Sequence, residues 1–223
     1  MRQVVLDTET TGLSPAGGDR IVEIGCVELV NGMPSGETYQ QYVNPERDVP
    51  EEVVAVHGLS EDFLSAYPPF ADIVDGFMEF LDDSALVIHN AEFDMGFINA
   101  ELERLGRPPL PMTRAVDTVR LARQKFPGAP ASLDALCRRF EIDITGRALH
   151  GALKDSHLLA QVYLELTGGR QADLALAGPA RQQGLAGAAA TQRPARPHAS
   201  SAAEAAAHDR FVEEKLEKPV WRA

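Results

Sequence analysis

Apolar and polar positions change period several times along the chain, and each change marks an element. Gln3 to Thr8, Arg20 to Val30 and Thr38 to Val43 are rich in Val, Ile, Thr and Tyr and are separated by Gly- and Pro-bearing turns. That pattern predicts three strands in an antiparallel meander. From Ala71 to Leu81 the period turns helical through Ile73, Phe77, Met78, Phe80 and Leu81, and a short apolar strand, Ala85 to Ile88, follows. A helix is predicted over Phe93 to Leu105, ended by Gly106. A strand at Ala115 to Val119 and helices at Ser132 to Phe140 and Lys154 to Leu166 complete an α/β domain over residues 1–168. No internal repeat is visible, and periodicity does not set the order of the strands.

Composition changes the picture after that point. Gln171 to Ala207 holds 15 alanines in 37 positions, with scattered Gly, Pro, Gln and Ser. Such a stretch lacks the large side chains that build a core, so 169–207 is expected to be a flexible linker with some helical tendency from its alanine. Large apolar residues return in Phe211, Val212, Leu216, Val220 and Trp221, which marks 208–223 as a short docking segment, or alternatively a tail folding back on its own core. The opening residues carry no leader pattern, and no window approaches the roughly 18 apolar residues of a membrane span. Cys26 and Cys137 each sit in an apolar pattern and read as buried free thiols, in keeping with a soluble protein of the reducing cytoplasm. The formal net charge of −12 argues against a wholly electrostatic nucleic-acid binder. A nucleic-acid substrate would need cations in the site, or a partner that holds it.

Three acidic segments carry candidate chemistry. Asp7 and Glu9 stand where the apolar strand Val4-Val5-Leu6 should continue. Alternation puts them on one face, about 7 Å apart, where two carboxylates resist ionisation unless a cation lies between them. That suits a hard metal such as Mg²⁺; a lone Asp-x-Glu would equally suit a solvated strand end. Asp94 falls in the first turn of the predicted helix after Ala85 to Ile88, where the helix dipole favours a carboxylate, and Glu92 is its competitor. Phe93 and Phe97, at helical spacing, read as core rather than nucleotide-stacking groups, although Phe93 beside Asp94 could serve either way. Asp155 falls near the start of another helix, five residues after His150, which is placed on a loop by the Gly151 that follows it. A histidine beside metal-binding carboxylates is suited to take a proton from water, although a lone histidine is more often a cap or surface group.

Taken in order, Asp7-Thr8-Glu9, Asn90 to Asp94 and His150-x4-Asp155 resemble the three motifs of the DEDDh 3′ to 5′ exonuclease superfamily. The resemblance implies an α/β, RNase H-like fold, with a mixed five-stranded sheet flanked by helices, a flexible C-terminal tail and the acids gathered at one edge. It also implies two divalent metal ions, Mg²⁺ or Mn²⁺, with Asp7, Glu9, Asp94 and Asp155 as ligands, His150 as the base, and 5′-mononucleotides as products. Leu6 to Gly12, Val56 to Leu59, His89 to Glu101, Ser132 to Cys137 and His150 to Leu166 are similar to the branch of proofreading, epsilon-type subunits of bacterial replicative polymerases. That similarity implies Leu13 and His57 as contacts of the terminal nucleotide; a backbone-bonded loop histidine is the competing reading of His57. The partners it implies are a single-stranded or frayed DNA 3′ end, the polymerase catalytic (alpha) subunit through the segment ending Val220-Trp221-Arg222-Ala223, and a small theta-type subunit. Gln182-Gln183-Gly184-Leu185 sits where the branch carries a sliding-clamp peptide, but Ala186 and Gly187 follow where the stronger pattern has a large residue. Two other readings stay open: a stand-alone exonuclease acting on RNA ends or short oligonucleotides, and a non-catalytic subunit that stabilises the polymerase.

Overall fold

The computed structural model describes residues 1–145, 149–168 and 200–215. The chain divides into two units, Met1–Leu174 and Ala175–Ala223. In the first unit, β1 (Arg2–Thr10), β2 (Ile21–Val30) and β3 (Met33–Tyr42) form the antiparallel meander, and β4 (Ala85–Ile88) and β5 (Ala115–Asp117) add to it in parallel. The order β3-β2-β1-β4-β5 makes one mixed five-stranded sheet. The helices are α1 (Glu51–His57), α2 (Glu61–Leu64), α3 (Phe70–Leu81), α4 (Ala91–Arg104), α5 (Thr118–Lys125), α6 (Leu133–Arg139) and α7 (Ala152–Leu166).

The alternation along β1 explains why the sheet is covered on both faces. Val4 and Leu6 join a core with Phe70, Phe77, Leu86 and Phe97, while Val5 joins a second core with Val27, Leu136, Leu159 and Val162. A side chain of this kind stabilises the fold by about 1.5–3 kcal/mol when fully buried, so each β1 residue commits the strand to one register. Both cysteines are buried thiols outside any disulfide.

The predicted elements are present, with differences at their ends and three helices besides. The strand expected through Val119 stops at Asp117, because that carboxylate accepts bonds from the N–H groups of Val119 (2.8 Å) and Arg120 (3.4 Å) and starts α5 at once. The short helices α1 and α2 had no long apolar period to announce them. β3 begins five residues earlier than its aromatic stretch, its first half being exposed and polar.

In the second unit α8 (Ala202–Lys215) begins inside the stretch expected to be linker. Ser201 Oγ accepts from Glu204 N (3.2 Å), and Glu204 Oε2 accepts from Ser201 N (2.8 Å), a reciprocal cap that starts an alanine-rich helix. The rest of the expected linker, the Gln182–Leu185 segment, and Leu216, Val220 and Trp221 lie outside the described residues. No helix among the described residues is long and apolar enough to cross a membrane.

Candidate active site

The site grows from the free end of β1. β4 pairs with β1 only over Gln3 to Val5, so beyond that point β1 has no strand on this side. Thr8 there donates its N–H (3.0 Å) and its hydroxyl (2.8 Å) to Asp94 Oδ1 instead. The helix that follows β4 therefore delivers its first-turn carboxylate to Thr8, close enough to Asp7 to act on its charge. Glu92, the competitor, is exposed, while Asp94 is buried. Phe97 is buried and Phe93 packs against the same core, their rings 4.9 Å apart.

Asp7 and Glu9 share the face of Val5, which is the face covered by α7. The start of α7 sits directly on β2: a Cβ at Gly25 would lie 2.1 Å from the Leu153 nitrogen, so only glycine permits this approach. Ser156 Oγ donates to the Gly25 carbonyl (2.9 Å), and Ala152 N donates to Glu23 Oε2 (3.1 Å). Glu23 also accepts from Gln40 Nε2 (2.8 Å) and is the cross-strand partner of Glu9. This clamp sets Asp155, one turn into α7 and buried, beside the β1 acids. His150, just before the helix, holds Nδ1 3.1 Å from Asp155 Oδ2, with half its side chain exposed, and its N–H donates to Val56 O (3.1 Å).

One ligand atom each from Glu9, His150 and Asp155 lies within 4.8 Å of the others. Asp7, His89, Asp134, His150 and Asp155 line a cavity of about 270 Å³. Burial pushes the Asp7 carboxyl well above its usual range, and the neighbouring Asp94, Glu9, Asp155 and Glu23 push it further. Burial pushes Asp94 up to about 7, against the pull of its Thr8 bonds. Hard oxygen donors gathered in this way are the donor chemistry that suits a divalent metal ion.

His57 is buried at the end of α1, its Nδ1 accepting from Leu59 N (3.0 Å), and among the described residues its Nε2 has no partner at full hydrogen-bond geometry. Burial lowers its pKa, the Thr10 backbone offsets part of this, and His150 adds to the lowering. One ring nitrogen of His57 is thus backbone-bonded, and the ring lies near enough to His150 to feel its charge. Leu13 is 83% exposed just past β1. The turn beneath it is organised by Asp19, which bonds Ser14 N (3.0 Å) and would collide with any side chain at Gly12. Glu23 and His89 were not picked out from sequence. Glu23 is visible only as a polar break in Ile21-Val22-Glu23-Ile24, and its importance depends on strand register. His89 lines the cavity, with its pKa lowered by burial, and its Nδ1 lies 2.8 Å from Thr118 Oγ1.

A mixed sheet covered on both faces, with acids converging at the end of its central strand, defines an RNase H-like nuclease of the DEDDh type. The exonuclease family model matches residues 4–163. The chain is 43% identical to the DNA polymerase III subunit epsilon of Salmonella typhimurium and 42% to that of Escherichia coli, in each case over all of this chain and 98% of the relative. To that of Rickettsia felis it is 53% identical over 77% of this chain and 76% of the relative. The chain belongs to the exonuclease family and, within it, to the DNA polymerase III epsilon subunits. Among solved structures, Exonuclease X in complex with 5′ overhanging duplex DNA is 26% identical, with TM-score 0.58, over 74% of this chain and 90% of that one. The nuclease domain of 3′hExo bound to rAMP shares the fold at 18% identity, TM-score 0.64, over 74% and 91%. The chain is accordingly a 3′ to 5′ exonuclease, of a family that depends on divalent metal.

Proposed function

We propose that this chain is the proofreading subunit of a replicative DNA polymerase, removing mismatched 3′-terminal nucleotides as 5′-mononucleotides. The observation that carries the reading is the meeting of Asp7, Glu9, Asp94 and Asp155, from three distant segments, beside His150. Asp7, Glu9, Asp94 and Asp155 would hold two ions, Mg²⁺ or Mn²⁺. The ions would activate the attacking water and offset charge on the leaving 3′ oxygen. His150 takes the proton of that water, and Asp155 at its Nδ1 stabilises the imidazolium that results. Leu13 and His57 hold the terminal nucleotide, Leu13 against the base and the Nε2 of His57 toward a polar group of the sugar or phosphate. A mismatched end unpairs at lower cost than a matched one, so a site that accepts only unpaired ends favours errors without reading sequence.

The tail supports the partner assignment: the similarity to the Salmonella typhimurium and Escherichia coli subunits runs through the whole chain, past the nuclease domain at 1–168. The 208–223 segment would dock on the alpha subunit with 169–207 as its linker, and a theta-type subunit would be a further partner. Clamp binding through Gln182–Leu185 has the weakest support. Two buried cysteines outside any disulfide fit the cytoplasm.

The test is digestion of a 3′-mismatched primer-template in Mg²⁺ by the parent and by Asp7→Ala, with an RNA end as a second substrate. The variant is expected to lose at least about 10³-fold in rate while still binding polymerase. Unchanged digestion would refute the site, and preference for the RNA end would favour the stand-alone enzyme.

A further inference from the structure

A second cavity, about 650 Å³, opens beside the acid pocket, and the two share His89 and Ser132 as walls. Its outer side is α5, which presents Arg120 and Arg123 to it, one helical turn apart on one face. Both are exposed, and among the described residues neither guanidinium takes part in a hydrogen bond or an ion pair. Elsewhere in the first unit, guanidiniums are mostly engaged: Arg2 with Glu28, Arg20 with Glu101, Arg104 with Glu101 and Arg107 with Asp75. In a chain with net charge −12, two uncommitted guanidiniums facing a groove that leads into an acid cluster have no structural partner to satisfy. A polyanion entering the acid pocket is repelled by the carboxylates and attracted only where such cations stand.

We propose that this groove is the seat of the strand behind the terminal nucleotide. Arg120 and Arg123 bind the phosphates 5′ to the bond that is cut, in the DNA strand that carries the 3′ end. The remaining walls fit that occupant. His89, its pKa lowered by burial, is a neutral wall at the junction of the two cavities. Asp117 is committed to the cap of α5, which leaves exposed Glu92 to repel a phosphate that strays toward α4. The volume lies within the range of small-ligand sites, enough for a nucleotide unit rather than for a duplex. This inference rests on the exonuclease reading and deepens it, because it assigns how the enzyme holds a strand as opposed to a single nucleotide.

The test compares two substrates on the full-length chain and on R120A/R123A. One is a single-stranded DNA oligonucleotide; the other is a p-nitrophenyl ester of a nucleoside 5′-monophosphate, which has no strand to lie in the groove. The double variant is expected to raise KM for the oligonucleotide about tenfold, with the ratio of oligonucleotide to ester kcat/KM falling by the same factor. The slope of log kcat/KM against log salt should become shallower by about 0.7 for each arginine removed. R120K/R123K should recover most of the loss, since a phosphate accepts a point charge. An unchanged oligonucleotide KM and salt slope would overturn the proposal, as would an equal fall on both substrates, which would mark a structural effect. A parent chain that cleaves neither substrate would sink the exonuclease reading itself and this inference with it.

Discussion

At the scale of single residues, the site concentrates carboxyl groups, and burial pushes two of them, Asp7 and Asp94, above their usual range. Burial pushes the Asp94 carboxyl up to about 7, against 3.8 for the ordinary group. Between those values the folded state holds a proton that the unfolded chain has released. The stability this confers is complete below about pH 4 and is lost as pH rises through about 7. Without metal, melting temperature is therefore expected to fall from about pH 5 to about pH 8, and added Mg²⁺ should restore more at the higher pH. Asp94→Asn keeps an oxygen acceptor for Thr8 but has no charge to bury. It should melt higher than the parent at pH 8 without metal, show a flatter pH profile and lack digestion; equal profiles in a thermal scan would contradict the buried-charge account. Glu23 makes a different case. Glu23→Ala leaves the Ala152 N–H buried without its acceptor, a cost of about 1–3 kcal/mol, and loosens the start of α7. A urea titration should show the loss, and the Mg²⁺ concentration for half-maximal digestion should rise as Asp155 shifts; stability loss with unchanged metal dependence would limit Glu23 to a structural role. Asp7 and Glu9 were legible as candidates because they interrupt an apolar strand, and Asp94, His150 and Asp155 because they stand at or just before helix starts. Glu23 interrupts an apolar strand too, but a single buried glutamate has meaning only once its neighbours across the sheet are known.

At the scale of elements, the seam between α7 and β2 decides whether the last motif reaches the first two. Backbone meets backbone there, and the Ala152 carbonyl carbon would lie 2.2 Å from a Cβ at Gly25. Gly25→Ala must push the helix away from the sheet. Exonuclease activity should fall by at least about tenfold and unfolding free energy by about 1–3 kcal/mol, in the range for overpacking, measured by digestion assay and denaturant titration; full activity would show that the seam yields without moving Asp155. Elements with long apolar periods, such as α3 and α7, were readable because burial of one face imposes the period. The short helices α1 and α5 escaped because seven or eight residues span only about two turns, and local capping rather than a long stripe starts them. α1 nevertheless ends at His57, so an element without a clear sequence signal supplies one of the proposed nucleotide contacts.

At the scale of the whole molecule, an acidic enzyme is asked to act on an acidic substrate. Its own hold on DNA is expected to be weak and salt-sensitive, and a polymerase that binds both the DNA and the 208–223 segment would replace affinity with effective concentration. Adding polymerase should raise the rate on a mismatched primer-template about 10²-fold or more for the full chain. A chain ending at Gly168 should keep its intrinsic digestion and lose that stimulation. Equal stimulation of both chains would remove the tail from the partnership and leave the nuclease intact.

The sequence by itself determined the class of fold and marked the candidate acids, the candidate histidine and the alanine-rich stretch, because these depend on local period, composition and spacing. Only tertiary structure decided that Asp94 rather than Glu92 meets Asp7, that Glu23 and Gly25 seat α7, and that two arginines of α5 face a groove leading to the acids. Those are matters of register and of contact between segments tens of residues apart, set by how the sheet and its two covering layers share their cores.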